Sequence, residues 1–358
     1  MNETLTLLQE LTDLDGPPGY EAMVGRYVAG KLAGLGTVEQ DNLGSVLCHQ
    51  VGASDTPRVM IAGHMDEIGF MVKLVTKEGF IKFSPLGGWW SQVLLAQRVR
   101  IHTTRGVVTG VIGSKPPHLL KEDQRNKVVE ISDMFIDVGA RDKEHAVEEL
   151  GIRPGDPIVP DSSFTRLAAP DLLLAKGWDD RIGVAMMIEA LQELAATEHP
   201  NTVIGAATVQ EEVGLRGAQT AVQAVQPDVA LVTETAIAGD MPGIEETESS
   251  VKLGAGPVIY VLDGSMIPNL RLRDLALDTS RELGIPCQTC VLERGGTDGG
   301  RIHVHARGVP SLVLGVPTRH IHSHAGIINY QDYLKSVQLL VGICRRLDAA
   351  TVAGLAAF

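Results

Sequence analysis

Aromatic residues are scarce in this chain, 4% of 358 positions, and there are only four cysteines. Cys48, Cys287, Cys290 and Cys344 cannot make a disulfide framework in so long a chain. Cys287-Gln288-Thr289-Cys290 has no second Cys-x-x-Cys and opens no helix, so it reads as part of a strand, not as a redox or zinc motif. Basic residues are outnumbered: 31 Lys and Arg against 44 Asp and Glu leave a formal charge of −13, without a long basic run. That excludes a phosphate-backbone or anionic-membrane partner. No apolar run approaches the roughly 20 residues of a membrane span. The start, Met1 to Leu5, lacks the basic and apolar regions of a signal peptide. The expectation is a cytoplasmic protein that binds neither nucleic acid nor membrane.

Hydrophobic residues are 44% of the chain and glycines number 39, enough for one large core and a second, smaller domain. Leu5, Leu8 and Leu11 have helical spacing, ended by Asp15-Gly16-Pro17-Pro18-Gly19, and Glu21 to Leu35 predicts a second helix. Val38 to Val51 predicts two strands around Asp41-Asn42-Leu43-Gly44, and Val59 to Gly63 a short apolar strand. From about Ile68 to Asp161 strands alternate with glycine turns, the texture of an inserted β-rich domain in which Trp89-Trp90 is core or subunit contact. Strands and helices then alternate: helix Asp180–Leu194, strand Thr202–Val209, strand Asp228–Thr233, helix Asn269–Leu283, strand Ser311–Val316 and helix Asp332–Leu347. The fold class is α/β. A mostly parallel-sheet, helix-flanked domain over 1–69 and 166–358 carries a small β-rich insert at 70–165.

Open α/β sheets bind ligands beyond the carboxyl ends of their strands. His64 and Asp66 follow one strand, Glu211 and Glu212 another, Glu234 a third, and His320, His322 and His324 a fourth, while Trp178-Asp179-Asp180-Arg181 opens a helix. Singly, each has an ordinary explanation: a hydrogen-bonded histidine, or an aspartate capping a helix. Jointly they put His or carboxylate at one sheet edge from five places in the chain. Such donors without cysteine suit Zn²⁺, Co²⁺ or Mn²⁺. Five sources are too many for one ion with an open position, but fit two ions about 3.5–4 Å apart.

His64-Met65-Asp66, Trp178-Asp179-Asp180-Arg181, Glu211-Glu212-Val213-Gly214, the acidic residue before Ala238-Gly239-Asp240, Gly295-Gly296-Thr297-Asp298-Gly299 and Arg319-His320-Ile321-His322-Ser323 occur in that order. Together they resemble the tetrahedral (TET) aminopeptidases, grouped with glutamyl and deblocking aminopeptidases in metallopeptidase family 42, some of which carry the label endoglucanase. The likeness runs from about residue 5 to 347 and passes through the insert at Pro116–Leu120 and Asp133–Asp137. It implies one divalent ion on His64, Asp179 and Glu234, and a second on Asp179, Glu212 and His322, with Asp179 shared. It further implies Glu211 as general base, Asp66 orienting the histidine, and a cis peptide after Asp179. Glu234 stands where the family more often has Asp. The resemblance also implies a PDZ-like dimerisation insert, dimers assembling into a dodecamer, and short peptides with a free N-terminus as substrates. A deacylase or amidase acting on acylated amino acids would use the same ligands. A glycosidase needs two flanking carboxylates and rings to stack on sugars, and a non-catalytic scaffold would need neither metal nor base.

Overall fold

The computed structural model describes residues 2–356. Its strands, in chain order, are β1 (Thr37–Gln40), β2 (Val46–Val51), β3 (Arg58–His64), β4 (Gly69–Val75), β5 (Ile81–Leu86), β6 (Arg98–Thr103), β7 (Gly106–Gly113), β8 (Phe135–Asp137), β9 (Pro157–Pro160), β10 (Thr165–Arg166), β11 (Leu172–Ala175), β12 (Thr202–Thr208), β13 (Val229–Ile237), β14 (Val258–Leu262), β15 (Gln288–Val291), β16 (Ser311–Arg319) and β17 (Gly326–Asn329). Eleven of them form one sheet, ordered β1-β2-β12-β3-β13-β16-β17-β11-β10, with β14 beside β16 and β15 beside β14.

The sheet is mixed, not mostly parallel as expected. Parallel pairing joins β12, β3, β13 and β16 at the centre, and β14 to β15. The flanks are antiparallel: β1, β2 and β12 on one side, and β16, β17, β11 and β10 on the other. The central strands alternate with helices, and only such crossovers allow parallel neighbours; the flanking ones include short-linked pairs. The four central strands are buried along almost their whole length, which is why they read as unbroken apolar runs. On β3, Val59 and Ile61 face the helices Glu3–Asp13, Ala22–Leu32, Trp178–Ala195, Leu270–Glu282 and Tyr330–Arg346. Met60 and Ala62 face the opposite layer, with Ala218, Val222 and Ile302. The Asn269 cap is present, its side chain accepting from the Leu272 amide at 2.9 Å. Cys290 lies in β15, Cys287 just before it, and both are free.

The insert closes into a six-stranded barrel, β4-β5-β8-β7-β6-β9, around Phe70, Val72, Ile81, Val99, Ile101 and Ile136. Trp89 belongs to this core: it stacks on Phe70 with centroids 4.6 Å apart and donates to the Gly69 carbonyl. Trp90 does not, being 61% exposed.

Asp15 fastens barrel to sheet. Arg100 Nη2 on β6 meets its Oδ1 at 2.5 Å, His102 Nε2 its Oδ2 at 2.7 Å, and Lys176 Nζ its Oδ1 at 3.2 Å. Burial opposes its charge, yet His102, Lys176 and Arg100 hold the Asp15 carboxyl well below the usual carboxylate range. A depressed carboxyl stabilises the fold above its unfolded pKa, near 3.9, and the contribution fades as pH falls below that value. Asp15→Asn should therefore cost about 3 kcal/mol at pH 7, and urea midpoints should show the gap to wild type closing below about pH 4. A gap independent of pH would mean that Asp15 matters for packing and not for charge.

Candidate metal centre

β3 ends on His64, and Thr208 at the end of β12 sits opposite it. Glu234 lies inside β13, not beyond it as expected. The strand runs on to Ile237 because β16 continues alongside, pairing Glu234 with Gly315 and Ile237 with Thr318. Its Oε2 stands 3.8 Å from His64 Nε2. Glu211 and Glu212 come after β12 has ended, past Gln210 with φ of 55°. A turn, not the alternation of a strand, therefore separates their side chains.

Asp66, fully buried, holds that turn. Its two carboxylate oxygens accept the amides of Glu211 at 3.0 Å and Glu212 at 3.1 Å. The same carboxylate is 3.5 Å from His64 Nδ1, but the nearer partner of Nδ1 is the Asp66 carbonyl oxygen, at 3.0 Å. Backbone fixes the imidazole, and the side chain fixes the glutamates.

Asp179 is the meeting point. Its Oδ1 is 3.0 Å from His64 Nε2 and its Oδ2 is 3.3 Å from His322 Nε2, which in turn lies 3.4 Å from Glu212 Oε1. The Asp179–Asp180 peptide is cis, and regular helix begins only after these two residues. His322 is steadied from the barrel side, its Nδ1 being 2.8 Å from the Gly88 carbonyl oxygen. Glu211 Oε2 stands 3.9 Å from His64 Nε2.

Of the three histidines after β16, only His322 reaches these carboxylates. His320 lines the cleft, and His324 is buried with its ring 5.4 Å from Trp89. Two acids missed as site residues stand out. Asp180, which the sequence suggests only as a cap, accepts the His64 amide and the Gly183 amide, each at 3.0 Å. Gly183 has to be glycine, because a Cβ there would lie 2.4 Å from both Asp180 oxygens. Asp298, in the glycine-rich motif Gly295–Gly299, is buried and accepts the Thr208 hydroxyl at 2.5 Å. No spacing signal marks it; its neighbours come from β12.

Seven carboxylates (Asp66, Asp179, Asp180, Glu211, Glu212, Glu234, Asp298) thus surround two imidazoles. Burial pushes Glu211, Glu234 and Asp180 well above the usual carboxylate range, neighbouring acids adding to it, and lifts Asp298 to about 6. Burial opposes charge on His64 and His322 too, but the adjoining carboxylates raise both, His322 to about 11. Positive charge is what the cluster lacks. The donor atoms of His64, Asp180 and Glu234 lie within 4.8 Å of one another, as do those of His64, Asp179 and Glu212. Asp180 already accepts two backbone amides, so Asp179, with an oxygen toward each histidine, is the freer donor. Glu212 Oε1 is buried with no hydrogen bond among the described residues, its nearest imidazole nitrogen being His322 Nε2 at 3.4 Å, and such an oxygen suits a cation.

The centre opens into a cleft of about 700 Å³. Leu215, Ile237, Met241, Tyr260 and Leu292 give it an apolar wall, and Arg294 to Thr297 close one side.

A family model described as M42 glutamyl aminopeptidase matches residues 44–339. The glutamyl aminopeptidase of Lactococcus lactis subsp. cremoris is 34% identical over 98% of both chains. The lysyl aminopeptidase of Pyrococcus furiosus is 35% identical over 95% of this chain and 96% of its own. Among solved structures, a TET aminopeptidase from the marine sediment archaeon Thaumarchaeota archaeon SCGC AB-539-E09 superposes with TM-score 0.96 and 47% identity over 99% of each chain. The Pyrococcus horikoshii TET1 peptidase, described as assembling into a tetrahedron or a large octahedral shell, aligns at TM-score 0.87 and 31% identity over 96% of this chain and 100% of its own. A structure named endoglucanase from Thermotoga maritima aligns at 0.78 and 26% identity, over 98% and 99%. With the family model matching most of its length and its site motifs gathered at one sheet edge, this chain belongs to the M42 glutamyl aminopeptidase family.

Proposed function

We propose that the protein is a two-metal aminopeptidase that removes N-terminal residues from short peptides. The observation that carries this reading is Asp179, whose two oxygens face two different histidines, His64 at 3.0 Å and His322 at 3.3 Å. One ion would rest on His64, Asp179 and Glu234, the other on Asp179, Glu212 and His322, with Zn²⁺ the first candidate and Co²⁺ or Mn²⁺ next. Bound there, the ions supply Lewis acidity toward the attacking water and the scissile carbonyl. Glu211 Oε2, 3.9 Å from His64 Nε2 and not needed by either ligand set, takes a proton from the water and returns it to the leaving amine. Asp66 acts through other groups: its side chain sets the Glu211–Glu212 turn and its carbonyl sets His64.

The division into 1–69 with 166–358, and an insert at 70–165, belongs to the same proposal, with the insert PDZ-like and serving dimerisation. The P. horikoshii relative, described as assembling into a tetrahedron or a large octahedral shell and in another structure as a dodecamer, supports a homo-oligomer, which we take to be a dodecamer of such dimers. Four free cysteines fit a reducing cytoplasm, and no described helix is long and apolar enough to cross a membrane. The glycosidase reading is weak here. Glu211 and Glu212 are adjacent residues of one turn, not carboxylates set on opposite sides of a sugar, and Tyr260 is the only phenylalanine, tyrosine or tryptophan ring in the described cleft lining.

Chelation should abolish release of the first residue from a panel of Glu-, Lys- and Leu-initiated peptides, and Zn²⁺, Co²⁺ or Mn²⁺ should restore it, with N-acetylated peptides resistant. Cleavage confined to acylated substrates would turn the assignment to a deacylase. Glu211→Gln should lower kcat by about 10²–10⁴ while the purified variant keeps wild-type metal content; lost metal would make Glu211 a ligand instead. Asp66→Asn, able to accept only one of the two amides, should weaken metal affinity or activity about 10–100-fold. Unchanged values in both assays would leave Asp66 without a role at the centre.

A further inference from the structure

Across the His320–His322 loop lies a second cavity, of about 690 Å³. It shares His320, Ile321 and His322 with the cleft, so His322 is a wall of both. The cavity around Arg301 shares no residue with the cleft. The second cavity is built where barrel meets sheet: Trp90, Val93 and Leu95 follow β5, Leu174 lies in β11 and Ile327 in β17. No Asp, Glu, Lys or Arg lines it among the described residues. Trp90 is 61% exposed and Leu95 37%, a large apolar surface beside an open cavity. Besides the histidines, the polar lining of the cavity is uncharged, Gln92, Gln97 and Ser323; of the histidines, His324 is the most buried. It is only 6% exposed, and neither ring nitrogen has a hydrogen-bond partner among the described residues.

Resting on the aminopeptidase reading, the direction of the substrate follows. The side chain of the first residue has the apolar wall of the cleft to fill, and the bond to be cut lies at Asp179 and its histidines. The two cavities share His320, Ile321 and His322, so a chain running on from the scissile bond would meet the second cavity beside that loop. We propose that this cavity binds the residue after the scissile bond and selects a large apolar or aromatic side chain there, held against Trp90.

The test uses the metal-restored enzyme and dipeptide amides that share one good first residue and vary the second among Gly, Asp, Leu and Phe. Wild type should favour Phe or Leu over Gly in kcat/KM by about tenfold or more and disfavour Asp. Trp90→Ala should bring the Phe-to-Gly ratio to within about twofold, and Trp90→Phe should keep most of it. In a Glu211→Gln background, which slows turnover, calorimetric Kd values for the same peptides should show the same preference and the same loss. Release with no preference for the second residue, or a preference indifferent to Trp90→Ala, overturns the subsite and leaves the aminopeptidase standing. No release from any peptide with any metal sinks the aminopeptidase reading first. A changed assembly size for Trp90→Ala on gel filtration would assign the cavity to a contact between copies and overturn the subsite as well.

Discussion

Negative charge drawn largely out of bulk water governs this molecule. Two layers of buried acid lie one above the other, and the chain treats them differently. In the lower layer Glu67 meets Lys176 at 2.6 Å, Asp15 meets Lys176 and Arg100, and Arg181 donates to the carbonyls of Leu11, Leu14 and Met65. Every acid there has a protein cation. In the upper layer Asp179, Glu211, Glu212 and Glu234 have two histidines between them and no lysine or arginine bonded to them among the described residues. The loop His64–Glu67 belongs to both layers. Removing one member of a buried ion pair is strongly destabilising, so the compensated layer makes a rigid floor under the uncompensated one.

The floor also fixes the barrel. Arg100 and His102 on β6 share Asp15 with Lys176, next to the helix that begins at Trp178, while Gly88 at the other end of the barrel reaches His322. The centre is thus held from both sides of the insert. Parallel strands make this arrangement possible. Their carboxyl ends open on one edge, and β3, β12, β13 and β16 carry acids and histidines there because helices fill both faces of the sheet and leave only that edge free. The cleft and the cavity beyond His322 flank the same edge, and the loop carrying His320 to His322 divides them.

Asp66 illustrates how a short motif serves more than one purpose. Two residues beyond His64, it caps the amides of Glu211 and Glu212, which stand 145 and 146 positions away. A carboxylate with two acceptor oxygens can do this, whereas a carbonyl oxygen alone would serve one such pair less well. The two carboxylates after β12 are aimed by an acid they do not touch with their own side chains.

How much was legible depended on whether the cause was local. Apolar runs, glycine and proline stops and the Asn269 cap act over a few residues, so the helices, the central strands and the β-rich insert could be read in advance, as could the identity of His64, Asp179, Glu211, Glu212, Glu234 and His322 as residues gathered at one edge. Strand direction at the flanks, the extension of β13 through Glu234 and closure of the barrel depend on which strand lies alongside, and no single run carries that. The same holds for Asp180 and Asp298, polar residues in otherwise ordinary motifs until Gly183 and Thr208 are brought against them. By itself the sequence determined which donors exist and in which order the chain presents them near one sheet edge. Only the tertiary structure decided which oxygen faces which nitrogen, and which buried acids are left without a cation, because those depend on distances of a few ångströms between segments far apart in the chain.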